Sequence, residues 1–358
     1  RHLQLENVRW PLFICLLWEI MLLSHEVIAP TSVGTKAMFY PLASAALLVA
    51  GSLLRRSEFV VVLEILGLGL GFVLLRVLGT ESLGFDYRHK KAFNQLGISL
   101  NGLASLASLP VTAAGVWLLR RGSPRPRPAF LVCSALAMLV ITSSGSLSVL
   151  PALGIGVVAA VALTEQDRLR RVLYFLSSLL ASSIYLSYLR SAFVEDSGAV
   201  RGRGDLWRGA ILLIQENGTQ GLGTEPSYVT GWVGARLAGG TGALPGGVHN
   251  AALQFVLAFG AVGAVLVILG LGLTTWLLRV TSRLREDWLL CAVACWAGVT
   301  TVVRSLVESD GASIFLRPSI QSLLIWLIAG VIASAVKAQP GLRQSSSPGV
   351  QLSHRVVA

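Results

Sequence analysis

Long apolar runs alternate with short polar loops along almost the whole chain. The runs are about 20 residues long, which is the length that an α-helix needs to cross the hydrocarbon core of a bilayer. We therefore predict an all-α fold, a polytopic integral membrane helical bundle with about ten transmembrane helices. The predicted spans are residues 9–28, 37–54, 59–79, 99–119, 129–146, 148–164, 172–192, 251–278, 288–306 and 318–337.

One polar interval, residues 193–250, is much longer than the other internal loops. Within it, Asp205–Glu216 places its apolar residues on one face of a helix that is too short to span. Its tryptophan suits the headgroup region, so we predict a short interfacial helix lying on the membrane. The apolar residues of this helix are Leu206, Trp207, Ala210, Leu213 and Ile214.

We divide the chain into four parts, of which the long interval is one. We expect an N-terminal transmembrane bundle, a large outer loop, a set of C-terminal transmembrane helices and a polar, Ser-rich tail that is disordered in the cytoplasm. In the same order, these parts are residues 1–192, 193–250, 251–338 and 339–358.

Composition agrees with lipid as the solvent, because 54% of the residues are hydrophobic and 13% are charged, against about 25% charged in soluble domains. The formal net charge is +11, but the basic residues cluster in short loops, so the positive-inside bias explains them better than a nucleic-acid partner. Alternating spans place these loops on one side, which we predict to be the cytoplasm, with the 193–250 loop outside. The clusters are Arg55-Arg56, Arg120 to Arg127, Arg168 to Arg171 and Arg279 to Arg285.

Two carboxylates, Glu19 and Glu64, lie within predicted spans. An intramembrane carboxylate is a candidate functional group, and a protonated or paired helix contact explains each of them equally well. The four cysteines also lie in apolar spans, with neither the spacing of a zinc site nor that of a disulfide framework. We expect no metal and no cofactor.

Two arginines are candidates for binding an anion at the outer face. Arg203 stands at the start of the interfacial helix, where the helix dipole and free N–H groups favour a phosphate; snorkelling to lipid phosphates is the alternative. Arg304 lies close to the outer end of span 288–306, with Glu308 four residues further on for a helical ion pair. An arginine at that depth is costly unless it meets a carboxylate or a ligand anion.

His249 and the Gly-rich stretch before it are further candidates. His249 is the one histidine of the large loop and lies where the loop meets an apolar run, a position that suits a general base or an orienting group. A structural role is the alternative. The stretch 218–247 contains Arg236 and two aromatic residues, Tyr228 and Trp232. The aromatic rings suit either sugar stacking or the bilayer surface.

Arg203 and Arg304, two arginines predicted at headgroup level, suit a diphosphate attached to a lipid.

Two motifs resemble a known family. His249-Asn250 is followed by nine residues, then Gly260, two residues and Gly263; upstream, Gly202-Arg203 precedes Trp207 and the run Gly221-Leu222-Gly223. Together they resemble the O-antigen ligase and polymerase superfamily of bacterial membrane glycosyltransferases, over residues 201–278. The Ser-Arg-Gly run of many members is Ser143–Ser146 here, without arginine, and the outer loop is short for a ligase, so ligase and polymerase both stay open.

The resemblance implies a metal-independent, inverting transfer of a glycan from an undecaprenyl-diphosphate carrier to an acceptor hydroxyl. The acceptor would be lipid A core or a protein for a ligase, and another lipid-linked repeat for a polymerase. It further implies surface polysaccharide synthesis in the bacterial cytoplasmic membrane, with the site facing the periplasm. A lipid-linked glycan transporter and a membrane scaffold without chemistry are the competing interpretations.

The expected roles follow from the resemblance and from side-chain chemistry. Arg203 would bind the diphosphate together with Arg304 and Arg236, while His249 would orient or deprotonate the acceptor hydroxyl. Asn250 would hold His249 or a sugar hydroxyl. Gly260 and Gly263 would let the helix after the loop pack closely. The substrate-binding residues expected in addition to the catalytic His249 and Arg203 are Arg304, Arg236, Asn250, Trp207 and Glu308.

Overall fold

The computed structural model describes most of the apolar part of the chain, and all its regular elements there are helical. The predicted span 9–28 with Glu19, and the tail from residue 339, lie outside the described residues. The described residues are 34–78, 100–120, 126–144, 149–165, 167–195, 203–217, 219–222, 250–306 and 320–337.

Ten helices, numbered α1 to α10 in chain order, are described. Nine of them coincide with predicted spans and one with the predicted interfacial helix; α9 contains a π-helical turn at Trp296–Thr300. The helices are α1 Gly34–Leu53, α2 Arg56–Leu78, α3 Leu100–Leu119, α4 Pro128–Ser144, α5 Val149–Thr164, α6 Arg168–Glu195, α7 Arg203–Asn217, α8 Ala251–Thr281, α9 Trp288–Ser305 and α10 Ile320–Lys337.

Three of the described helices are both long enough and apolar enough to cross a membrane. They are Gly102–Leu119 of α3, Ala251–Thr281 of α8 and Trp288–Ser305 of α9. Four further helices contain shorter apolar segments of 10–17 described residues each, Leu42–Leu53, Pro128–Ser143, Val149–Thr164 and Leu323–Val336. The all-helical fold class is therefore confirmed for the described residues, whereas the count of about ten spans stays a prediction.

The surface of the bundle is itself apolar. Along α6, large hydrophobic side chains are exposed on most turns, and Leu169 and Leu180 are 69% and 62% exposed. Water disfavours a contiguous apolar surface of this kind, whereas lipid does not. The exposed residues of α6 are Leu169, Val172, Leu173, Phe175, Leu176, Leu179, Leu180 and Ile184.

Small residues allow the closest helix contacts. A Cβ built on Gly51 of α1 would strike the carbonyl oxygen of Leu327 in α10, and one built on Gly330 would strike that of Leu48. A Cβ on Gly67 of α2 would lie 2.6 Å from Cβ of Cys133 in α4. Since lipid supplies little hydrophobic force between helices, such backbone approach is a main source of helix association.

Basic loops from distant parts of the sequence meet at one end of the bundle, which we call the basic end. Arg56 forms an ion pair with Asp287, Nε to Oδ2 2.8 Å, and Arg120 Nη1 donates to the carbonyl oxygen of Glu286 at 2.9 Å. Arg127 lines a cavity together with Arg56 and Trp288. The loops after α1, α3 and α8 thus share one end, as alternating spans require.

We expect Gly51→Ala to destabilise the bundle, because the added methyl group overlaps a backbone carbonyl that cannot rotate away. Overpacking of this kind costs about 1–3 kcal/mol. The measurement is thermal unfolding of the purified protein in detergent. Gly69→Ala in α2 is the matched control, since no atom lies within 4 Å of its added Cβ; equal unfolding temperatures for the two variants would contradict the packing described.

Candidate functional site

The apolar face predicted for α7 is correct, but protein covers it. Leu206, Trp207, Ala210 and Leu213 are buried in a cluster with Leu257 of α8. Trp207 is 7% exposed, so the helix uses this face to pack on α8 instead of lying on lipid with it. The partly buried residues around the cluster are Tyr185, Ile214, Leu222, Leu253 and Leu306.

Gly260 interrupts α8 and receives the loop that follows α7. Its backbone has φ 58° and ψ −132°, a region that is open to glycine and strained for other residues. In a regular helix the N–H of Ala261 would donate to the carbonyl of Leu257. Here Ala261 N donates to the Thr219 carbonyl at 3.1 Å, and the Leu257 carbonyl accepts from Leu222 N at 2.8 Å.

The close fit of this loop depends on two glycines that belong to different sequence motifs. Gly221 has φ 72°, and a Cβ on it would lie 2.5 Å from the Gly260 nitrogen. A Cβ on Gly260 would strike the carbonyl oxygen of Thr219. The expectation that Gly260 lets a helix pack closely is thus too general: it lets a loop replace a helical hydrogen bond.

Asn250 joins the start of α8 to the end of α9. It is the N-cap of α8, and its Oδ1 accepts from Leu253 N at 3.0 Å. Its Nδ2 donates to the carbonyl oxygen of Leu306 at 3.0 Å. Leu306 is the C-cap of α9, two positions after Arg304, so one amide side chain satisfies groups at two helix ends.

Arg304 lies inside the bundle, with 1% of its surface exposed. It follows the π-helical turn Trp296–Thr300, which inserts a residue into the helix and so changes the face that later side chains occupy. Thr301, one turn before Arg304, is also buried, and its hydroxyl donates to the carbonyl of Ala297. Because a guanidinium stays charged, burying it is costly in free energy unless an anion or strong hydrogen-bond acceptors surround it.

Gln254, which the sequence analysis missed, lies one turn after Asn250. Its Oε1 is buried and has no hydrogen-bond partner within the described part of the chain, a costly state for an amide oxygen. The sequence contains a signal for it, because Gln254 is the one polar residue, apart from glycine, in the apolar run between Asn250 and Thr274. A buried acceptor here suits a hydroxyl or N–H donor that comes from outside the helix.

Three of the expected site residues, Trp207, Asn250 and Arg304, lie in the described part of the chain. Asn250 donates to the carbonyl of Leu306, which packs against the buried cluster that contains Trp207 and lies two residues after Arg304. Arg203 is the first residue of α7, and its side chain lies outside the described part. The residues that fall wholly outside the described ranges are His249, Arg236 and Glu308.

Comparison with known proteins adds no family to this description. A scan against family models finds no match, and a search of the curated proteins finds none either. The motif resemblance therefore stays an expectation about this chain. The geometry around Gly260, Asn250 and Arg304 stands independently of it.

We expect Gly260→Ala to release the 219–222 loop from α8. The alanine would need a strained backbone and would overlap the Thr219 carbonyl, at a combined cost of about 2–4 kcal/mol. Hydrogen exchange at the amides of Leu222 and Ala261 should become faster. Gly272→Ala, further along α8 with no atom within 4 Å of its added Cβ, should leave both amides protected; protected amides in Gly260→Ala would refute the account.

Two substitutions of Asn250 separate its two hydrogen bonds. Asn250→Asp keeps the acceptor for Leu253 N and loses the donor to Leu306, whereas Asn250→Ala loses both. We expect the alanine variant to lose about 1 kcal/mol for the cap alone. Hydrogen exchange should show a protected start of α8 in the aspartate variant and a frayed one in the alanine variant. Identical exchange in both would mean that the cap is not what holds this end.

Proposed function

We propose that the chain is an O-antigen ligase-type membrane glycosyltransferase, which moves a glycan from an undecaprenyl-diphosphate carrier to an acceptor hydroxyl at the outer face of the bacterial cytoplasmic membrane. The observation that carries the proposal is the arrangement of the two glycine motifs. Gly221 and Gly260, which belong to separate parts of the family pattern, are in direct backbone contact. Motif residues that lie 39 positions apart in sequence thus form one structural unit.

The same end of the bundle offers suitable groups for a diphosphate. Arg304 supplies a cation that is buried at the end of an apolar helix, where low polarity strengthens its attraction for an anion. Arg203 begins α7, so its position combines an arginine with a helix N-terminus, and Arg236 is the third cation proposed here. Fixed positive charge near the leaving diphosphate would stabilise the transition state without a metal.

The acceptor hydroxyl needs a base or an orienting group. We assign that role to His249, which immediately precedes Asn250 in the sequence. The side-chain amide of Asn250 forms hydrogen bonds with both Leu253 and Leu306. His249 is therefore bonded to a residue whose position in the bundle is fixed. The hydroxyl would attack the anomeric carbon with inversion, and its proton would pass to His249.

Ligase and polymerase share this chemistry and differ in the acceptor. Polymerisation on a lipid-linked repeat is the first alternative, and transport of a lipid-linked glycan is the second. A transporter needs polar groups through the middle of several spans. The polar side chain of Ser108 in the middle of α3 is already hydrogen-bonded within the protein. It donates to the Ser105 carbonyl and accepts from Trp296 Nε1 of α9 at 2.8 Å. That arrangement favours an enzyme.

The test is glycan transfer in membranes from cells that lack the native activity, with a lipid-diphosphate donor and a panel of acceptors. We expect His249→Ala and Arg203→Ala each to lower the rate by 100-fold or more, the scale of one general base or one charge-stabilising group, that is on the order of 3 kcal/mol. Matched controls are His354→Ala in the tail and Arg208→Ala on the exposed side of α7, which should transfer at the wild-type rate.

The outcomes separate the interpretations. Transfer to a lipid-linked repeat by the wild type would identify a polymerase, and transfer to lipid A core or protein a ligase. Well-folded His249→Ala and Arg203→Ala proteins with full activity would remove the proposed site. A wild type that transfers nothing to any acceptor, yet moves the lipid-linked glycan across vesicles, would make transport the function.

A further inference from the structure

The basic end of the bundle contains a cavity that the proposed glycosyl transfer does not use. It lies between α2, α4 and the start of α9, with a volume of about 220 Å³. Among the described residues that line it, both charged side chains are cationic, Arg56 and Arg127, and no carboxylate contributes to the wall. The main remaining lining residues are Ser57, Val60, Phe130 and Trp288.

Trp288 lines this cavity and contains an indole N–H that is a donor without a partner in the described part of the chain. Trp288 is 6% exposed, and its Nε1 is buried without a hydrogen bond in the described part of the chain. Its ring is held by an edge contact with Phe130, with centroids 6.3 Å apart. An indole N–H is a donor only, so a group that satisfies it must be an acceptor.

The two arginines retain donors for the same acceptor. Asp287 pairs with Nε of Arg56 at 2.8 Å, and a guanidinium carries two further donor groups, Nη1 and Nη2. Asp287 does not line this cavity; it lines a neighbouring cavity with Arg55, Arg56 and Leu284. Arg127 is exposed at the mouth of the first cavity. Two guanidinium groups with an indole N–H and a serine hydroxyl match the oxygens of a phosphate.

An apolar stripe that runs along α2 from this cavity indicates that the phosphate belongs to a lipid. Val60 lines the cavity, and the next residues outward on the exposed side of α2 are large and apolar. Their spacing of four, three and four residues places them on one face of the helix. They are Val61 at 39% exposure, Ile65 at 63%, Leu68 at 53% and Phe72 at 71%.

We propose that this cavity, which we call the lipid pocket, binds the phosphate of an anionic phospholipid, with one acyl chain lying along the exposed face of α2. Basic cavities between helices at a membrane surface are suited to acidic headgroups. The site lies at the opposite end of the bundle from Asn250 and Arg304. Like the proposed function, lipid binding at this site requires that the chain lies in a membrane, but it does not require glycosyl transfer.

Binding is to be measured on the full chain purified in detergent, by titration with phosphatidylglycerol and with phosphatidylcholine of the same acyl chains. We expect phosphatidylglycerol to bind at least about tenfold more tightly, the equivalent of one charge-assisted hydrogen bond. Arg127→Gln should remove that preference. Trp288→Phe, which keeps an aromatic ring and loses the N–H, should weaken phosphatidylglycerol about tenfold.

Arg283→Gln is the matched control, because Arg283 is an exposed arginine of the loop at the same end that does not line the lipid pocket. It should bind phosphatidylglycerol like the wild type. Equal binding of the two lipids, or an Arg127→Gln protein that behaves like Arg283→Gln, would overturn the proposal. Inorganic phosphate that stabilises the protein as strongly as phosphatidylglycerol, through Arg127, would overturn the lipid assignment. None of these binding measurements uses a glycan, so their results do not depend on whether the protein transfers glycans.

Discussion

An apolar bundle has to satisfy every backbone N–H and C=O group internally, and the interruption of α8 shows how this chain does so where its helix is broken. Gly260 removes the helical bond between Ala261 and Leu257, and the 219–222 loop takes up both groups with two hydrogen bonds of its own. An unsatisfied pair in that position would cost several kcal/mol in a low-dielectric environment. The break in α8 and the loop after α7 therefore depend on each other.

That mutual dependence places the candidate site. The loop bonded to α8 holds α7 against the same helix, so Trp207 and Leu257 share one buried cluster. Asn250 then ties the start of α8 to the end of α9, next to Arg304. Three consecutive helices, α7, α8 and α9, meet through backbone bonds and one amide, which is a rigid support for groups that have to be oriented.

The two ends of the bundle use arginine differently. At the basic end, Arg56 is 47% exposed and paired with Asp287, an arrangement that water and lipid headgroups both tolerate. At the other end, Arg304 is buried near the end of the apolar helix α9. A charge held there is retained against its desolvation cost, which is typical of a functional group. The proposed lipid contact and the proposed chemistry thus fall at separate faces.

In the described part of the chain, the sequence by itself determined which segments are helices, because long apolar runs separated by short polar loops favour helices of about the length of each run. It also identified the buried face of α7, whose apolar residues repeat at helical spacing. It could not show what covers that face, since periodicity does not distinguish lipid from another helix. The meeting of Gly221 with Gly260, the inward turn of Arg304 after a π-helical segment, and the buried Gln254 were decided by tertiary structure, because each depends on contacts between residues far apart in the chain.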